Sequence, residues 1–202
     1  MLLILGMSRT VTPQRKARIE RALSLRQKDL ALALANIHDP HNVSAIYRSC
    51  DAFGVAEVHL YYTDTPFPAL GRKSSASARK WVESIRHGTP DGLIAGLRTG
   101  GRQILATSCS ATARPLADWD FTGPTAVIMG NEHRGVDEEL APHVDGELYI
   151  PMYGMIRSFN VSVAAAVILA EASRQRALAG MYARPGYTEE EYAELLDAWL
   201  KK

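Results

Sequence analysis

Short apolar runs of strand length alternate with helix-forming stretches along most of this chain, and that alternation limits the folds open to it. The runs are 30–37, 57–62, 103–107, 125–130 and 147–152, with a further short one at 81–86. Helical patterning covers 42–53, ended by Gly54, and 91–98, ended by Gly100-Gly101. It also covers 136–141 and a long stretch from Asn160 to Ala179, closed by Gly180. Residues 63–78 are rich in Thr, Asp, Pro and Ser and read as a loop. Strands alternating with helices pair in parallel and bury both faces under helices. The expectation is an α/β domain with a mostly parallel sheet and no internal repeat.

Two helices flank this pattern. Thr12-Pro13 supplies an N-cap hydroxyl followed by proline at the first helical position, opening a helix to about Arg26. Thr188-Glu189-Glu190-Glu191 is a capping box that opens a last helix. Charge divides between these ends. The formal net charge is only +1, yet Arg9, Arg15, Lys16, Arg18, Arg21, Arg26 and Lys28 crowd one end and Glu189, Glu190, Glu191, Glu194 and Asp197 the other. Near neutrality therefore hides a basic arm suited to a phosphate backbone. A solvated helix face is the plainer reading of the same residues.

Other features narrow the class. With 202 residues, 47% of them hydrophobic, the chain has ample material for one core. Cys50 and Cys109 form no C-x-x-C pair, so neither a disulfide framework nor a zinc ribbon is expected. The longest apolar run, from Val161 to Ala170, is half of what a bilayer span needs. The protein is expected to be cytoplasmic, with no membrane contact. No G-x-G-x-x-G follows the first strand. Gly130 to Gly135 has Walker spacing but continues with Val136 instead of Lys. His38 and His41 are the one close histidine pair, and no metal is expected.

Three polar clusters fall where strands end, the place where ligands collect in open α/β sheets. The first is Asn36, Asn42 and Arg48. Asn42 and Arg48 would reach one site if Asn42 capped the helix and Arg48 pointed back along it; a capping Asn with a solvated Arg is the alternative. The second is Met129-Gly130-Asn131-Glu132, where glycine would let a ligand approach the backbone and Glu132 reads equally as a surface carboxylate. The third runs from Ile150 to Asn160, a strand entering a loop and then a helix whose N-terminus offers Ser158, Asn160 and free N–H groups.

In this order and spacing the clusters resemble the TrmH-like branch of the SPOUT RNA 2′-O-methyltransferases. The motifs are Asn42-Val43-Ser44-Ala45-Ile46-Tyr47-Arg48, then Ala126 to Val136, then Ile150-Pro151-Met152 with Ser158-Phe159-Asn160-Val161-Ser162. The resemblance spans about residues 30–180, and the two terminal segments resemble those of bacterial enzymes that methylate guanosine 18 of tRNA. It implies a basic extension over 8–28, a methyltransferase domain over 29–180 with a trefoil knot at about 125–175, and a C-terminal extension over 181–202. It further implies S-adenosylmethionine as methyl donor, tRNA as substrate and a homodimer with a shared active site. Arg48, Asn42, Glu132, Ser158 and Asn160 would be catalytic. Thr107, Gly130, Asn131, Ile150, Met152 and Phe159 would hold the cofactor. Arg15, Lys16, Arg18 and Arg26 would hold RNA, with Arg157, Arg174 and Arg176 adding to that surface. The same chemistry on ribosomal RNA or an anticodon nucleotide, and a non-catalytic RNA-binding protein of this fold, are the competing readings.

Overall fold

The computed structural model describes residues 11–63, 66–67, 78–131 and 134–202. The strands are β1 (Gln27–Ala35), β2 (Val55–Tyr61), β3 (Glu83–His87), β4 (Gln103–Thr107), β5 (Arg114–Pro115), β6 (Thr125–Met129) and β7 (Gly146–Tyr149). The helices are α1 (Pro13–Ser24), α2 (Pro40–Ala52), α3 (Pro90–Arg98), α4 (Val161–Leu178) and α5 (Glu189–Leu200). Among the described residues the strands form one sheet in the order β3-β2-β1-β6-β4-β7-β5, and every pairing is parallel. The expected α/β class with a parallel sheet is therefore what the chain adopts.

β1 lies between β2 and β6, which pair both its edges, and helices cover both its faces, which is why it reads as a continuous apolar run. Leu30, Leu32 and Leu34 face α2 and α4, where they meet Ile46, Tyr47, Ile168 and Leu169. Ala31, Ala33 and Ala35 face the other way, toward Leu93 and Leu97 of α3 and Leu140. Each buried Leu contributes roughly 1.5–3 kcal/mol. A third, smaller cluster joins Ile19 and Leu23 of α1 to Trp199 of α5, with Trp81, Tyr187 and Tyr192 packed around it. The two terminal helices thus pack on each other.

Three helices start in one way: Thr12-Pro13, Asp39-Pro40 and Thr89-Pro90 each pair a capping side chain with proline in the first turn. This corrects the expected boundary of α2. Asp39, not Asn42, is its cap, and its carboxylate accepts from the His41 N–H at 2.8 Å. Asn42 therefore lies inside the first turn. The helix expected at 136–141 is a turn followed by a single 3-10 turn at Ala141–His143. The stretch is too short to offset helix nucleation, and its polar side chains are engaged elsewhere: Asp137 accepts from Asn36 at 2.9 Å and Glu139 accepts from the Tyr61 hydroxyl. The last strand stops at Tyr149 rather than 152, shortly before Pro151, which has no N–H for the ladder.

Candidate active site

The carboxyl ends of β4, β6 and β7 surround a cavity of about 760 Å³, within the usual span of small-molecule sites. Thr107 ends β4, and its hydroxyl donates to the Ile128 carbonyl at 3.2 Å and accepts from the Gly130 N–H at 3.4 Å. That pair of bonds fixes the two strand ends against each other. Beyond β6 the chain makes a tight loop in which Asn131 and Gly135 exchange N–H···O bonds of 2.8 and 2.9 Å. Gly135 has φ +74, which suits glycine.

Gly130 is required for a different reason from the one its position suggests. A Cβ there would lie 2.2 Å from the Gly135 carbonyl carbon and 2.3 Å from the Val136 nitrogen. The space given up by glycine is filled by the protein's own returning chain, not by a ligand. Asn131 is buried, and its amide donates to the Asn36 carbonyl and meets His38 Nδ1, both at 2.8 Å. Asn36 itself takes φ +50 and accepts from the Thr63 N–H at 3.0 Å. Asn131 thus ties the second cluster to the first while lining the cavity.

Every residue expected to hold a cofactor lines this cavity: Thr107, Gly130, Asn131, Ile150, Met152 and Phe159, joined by Ser158. Its walls are apolar at Met129, Leu148, Ile150 and Ile168. Glu147 contributes a carboxylate that accepts from the hydroxyls of Ser110 and Thr112. Those hydroxyls hold its pKa below the usual glutamate value, against the smaller effect of burial. Arg134 and Arg157 also line the cavity. The donor set offers one anionic and two cationic positions around an apolar interior. That matches a ligand carrying a heteroaromatic ring, positive centres and a carboxylate, as S-adenosylmethionine does.

Asn160 caps α4, accepting from the Ser162 N–H at 2.8 Å, and its amide donates to Asn42 Oδ1 at 3.0 Å. Residues 118 apart in sequence are thereby joined across α2 and α4. Arg48 is exposed on α2 and is not part of the cavity lining of its own chain. Glu132 lies outside the described residues. Arg15, Lys16 and Arg18 stand exposed on α1. Arg26 does not share that face. It is 1% exposed, donates to the Val55 carbonyl at 2.9 Å and pairs with Asp51. Arg176 is likewise no surface group. It is fully buried, donates to the carbonyls of Phe121 and Gly123 at 2.9 Å each, and pairs with Asp29. Arg174 is exposed and paired with Glu171.

Sequence reasoning missed Glu147, Arg134 and Cys109 as cavity residues. A charged residue inside the otherwise apolar last strand was the available signal for Glu147. Nothing in the local pattern marked the other two.

A model of the SpoU rRNA Methylase family matches residues 29–170. The tRNA (guanosine(18)-2'-O)-methyltransferase of Thermus thermophilus is 45% identical over 191 residues, covering 95% of this chain and 98% of that protein. The crystal structure of the Aquifex aeolicus TrmH/SpoU tRNA modifying enzyme has a TM-score of 0.86 at 38% identity, covering 93% of this chain and 95% of that one. The SpoU methyltransferase AviRb from Streptomyces viridochromogenes, solved with the cofactor AdoMet, has a TM-score of 0.68 at 25% identity and covers 77% of this chain and 61% of that one.

Proposed function

The chain belongs to the SpoU rRNA methylase family, and from that premise we propose that it methylates a ribose 2′-hydroxyl of tRNA, at guanosine 18, using S-adenosylmethionine. One observation carries the reading. The cavity at the ends of β4, β6 and β7 is lined by all the motif residues expected to hold the cofactor, in a chain that matches a guanosine-18 enzyme over 98% of that enzyme's length. Methylation of ribosomal RNA is less favoured, because the chain spans only 59% of the rRNA methyltransferase from Sinorhizobium meliloti.

S-adenosylmethionine supplies an electrophilic sulfonium methyl there. What the protein must add is alignment and control of the hydroxyl proton. Thr107, Ile150, Met152 and Phe159 are the residues that would hold the donor, and Glu147 would supply a carboxylate to a positive centre in the same cavity. Asn160 and Asn42, already bonded to each other, would position the ribose. Arg48 is assigned to the acceptor side. A guanidinium titrates above about 12 and does not give up its proton readily in a protein. Its chemistry suits clamping an RNA phosphate and stabilising the oxyanion as it develops.

Arg48 is absent from the lining of its own chain's cavity, so the reading includes a homodimer in which Arg48 of a second copy completes the site. Supporting this, Tyr153 and Met155 are each 98% exposed beside the cavity, and Val163 and Leu178 extend an uncovered apolar face along α4. The reading also includes a trefoil knot at about 125–175. Supporting it is the return of the chain from β7, on the far side of β4, to α4 packed against α2.

The test is methyl transfer from labelled S-adenosylmethionine to unmodified tRNA, with the product mapped by mass spectrometry. A 2′-O-methyl group at guanosine 18 is expected, and methylation elsewhere or none would overturn the assignment. Arg48→Ala should lower kcat at least 100-fold with unchanged cofactor affinity. Light scattering should give twice the chain mass, and a monomer would remove the shared site.

A further inference from the structure

A second cleft, of about 420 Å³, lies at the opposite end of the sheet. It is formed where the amino ends of β2 and β3 meet α5, and Lys28 near the start of β1 lies on its wall. Lys28 is six residues before Leu34, which pairs with Met129 at the cofactor cavity, so the two sites are separated by about 20 Å of strand. No step of the methyl transfer uses this cleft.

Its lining differs sharply from the near-neutral chain as a whole. Arg26, Lys28, Arg79, Lys80, Arg102 and Lys202 supply positive charge, against Glu57 and Glu83 in the lining and against Asp51 and Glu191, which pair with Arg26 and Lys28. Two of these cations are incompletely paired although buried. Arg26 and Arg102 are 1% and 6% exposed, and Arg26 Nε, Arg102 Nε and Arg102 Nη1 have no hydrogen-bond partner. The rest of each guanidinium is engaged: Arg102 Nη2 contacts Glu57 at 2.6 Å and donates to the Lys28 carbonyl at 2.9 Å. Buried N–H groups left unpaired are costly, and because these atoms are enclosed, negative charge in the cleft would offset them through space without touching them.

Aromatic surface lies beside the charge. Trp81 and Trp199 pack with ring centroids 5.0 Å apart, and Tyr187 also lines the cleft. The Lys202 ammonium stands 5.6 Å from the Trp199 centroid and 5.8 Å from that of Trp81. Burial depresses the Lys202 pKa, against the opposing effect of Glu83, and the Arg26 charge adds a smaller depression. Cationic grooves that carry aromatic faces hold nucleotides by pairing phosphate with charge and base with ring.

We propose that this cleft is a nucleotide-binding exosite that takes a phosphate-bearing nucleotide, its phosphate against the exposed Lys80 and Lys202 and its base against the half-buried Trp81 and Tyr187. The source is either one nucleotide of a bound RNA or a free 5′-mononucleotide. The first of these rests on the reading of the protein as a tRNA enzyme, and the second does not.

The experiment follows intrinsic tryptophan fluorescence and calorimetry with GMP, guanosine and unmodified tRNA. The proteins are wild type, Lys80→Glu/Lys202→Glu, and an α1 variant, Arg15→Glu/Arg18→Glu. Cofactor affinity serves as the folding control, and Arg79→Ala/Lys80→Ala, confined to an exposed turn, replaces the first variant if that one fails it. Saturable quenching by GMP, at least 10-fold weaker for guanosine and for the cleft variant, assigns the cleft to a free nucleotide. A 10-fold loss of tRNA affinity in the cleft variant, without GMP binding, assigns it to an RNA nucleotide. If neither ligand distinguishes the cleft variant from wild type, the proposal is wrong. Loss of tRNA binding in the α1 variant alone would then leave the tRNA reading intact while removing the exosite.

Discussion

Replacing Arg176 by methionine separates a structural arginine from an RNA-binding one. The side chain sits at 0% exposure and is held by two carbonyls, by Gln27 Oε1 at 3.1 Å and by Asp29. Methionine fills most of the volume but leaves the Phe121 and Gly123 carbonyls without their donor and Asp29 without its counter-charge. Removing one partner of a buried pair costs about 3–5 kcal/mol. The Asp29 side chain is 36% exposed, so water recovers part of its loss and the lower end, about 3 kcal/mol, is the better figure. For a chain of 150–250 residues each kcal/mol moves Tm by about 2–4 °C. The expected fall in Tm is thus about 6–12 °C, read by circular dichroism at fixed protein concentration. At 25 °C the folded variant should bind tRNA with unchanged salt dependence. A Tm within about 2 °C of wild type, together with weaker tRNA binding, would refute the reasoning and return Arg176 to the RNA surface.

Gly130→Ala should weaken S-adenosylmethionine binding at least 10-fold in calorimetry, because its Cβ would meet backbone atoms of Gly135 and Val136 inside 2.5 Å and open the loop; unchanged affinity would show that the loop relaxes freely. Iodoacetamide at pH 8 should label exposed Cys109 and spare Cys50, whose thiol is buried and shifted far upward, and saturating S-adenosylmethionine should slow labelling because Cys109 lines the cavity. Peptide mass spectrometry reads both sites, and equal labelling with and without cofactor would place the cofactor elsewhere. Asp145 is held below its ordinary pKa by the Arg98 guanidinium, against burial, with help from the Ile104 N–H. A depressed folded-state pKa gives stability that is present above the unfolded value, about 3.9, and lost as pH falls through the folded one. Asp145→Asn should therefore lower Tm at pH 6–8, with the difference closing below about pH 3.9, and a difference independent of pH would remove Asp145 from the acid response.

Much of this protein could be read from local pattern. The alternation of strand and helix signals gave the parallel sheet, since period and length depend only on neighbouring residues. The capping box at Thr188, the glycine closing α4 and the whole of β4 stand where composition places them. Boundaries slipped where a signal was present but unused, as at Asp39-Pro40. The two-residue strand β5 had no local signal, because its pairing with β7 depends on where β7 lies in space.

Spacing along the chain named the polar residues that gather at strand ends but could not rank the arginines. Arg15, Arg26 and Arg176 are chemically identical in the sequence. Only packing separates an exposed cation from one that is enclosed by carbonyls and a carboxylate, because burial is set by elements distant along the chain: β2 and α5 around Arg26, and the start of β1 and residues 121–123 around Arg176. For the same reason the fold, not the motif, gave Gly130 its role: the atoms that exclude a side chain there belong to the loop's own return. Local chemistry is written residue by residue, whereas desolvation and close approach are properties of the assembled layers.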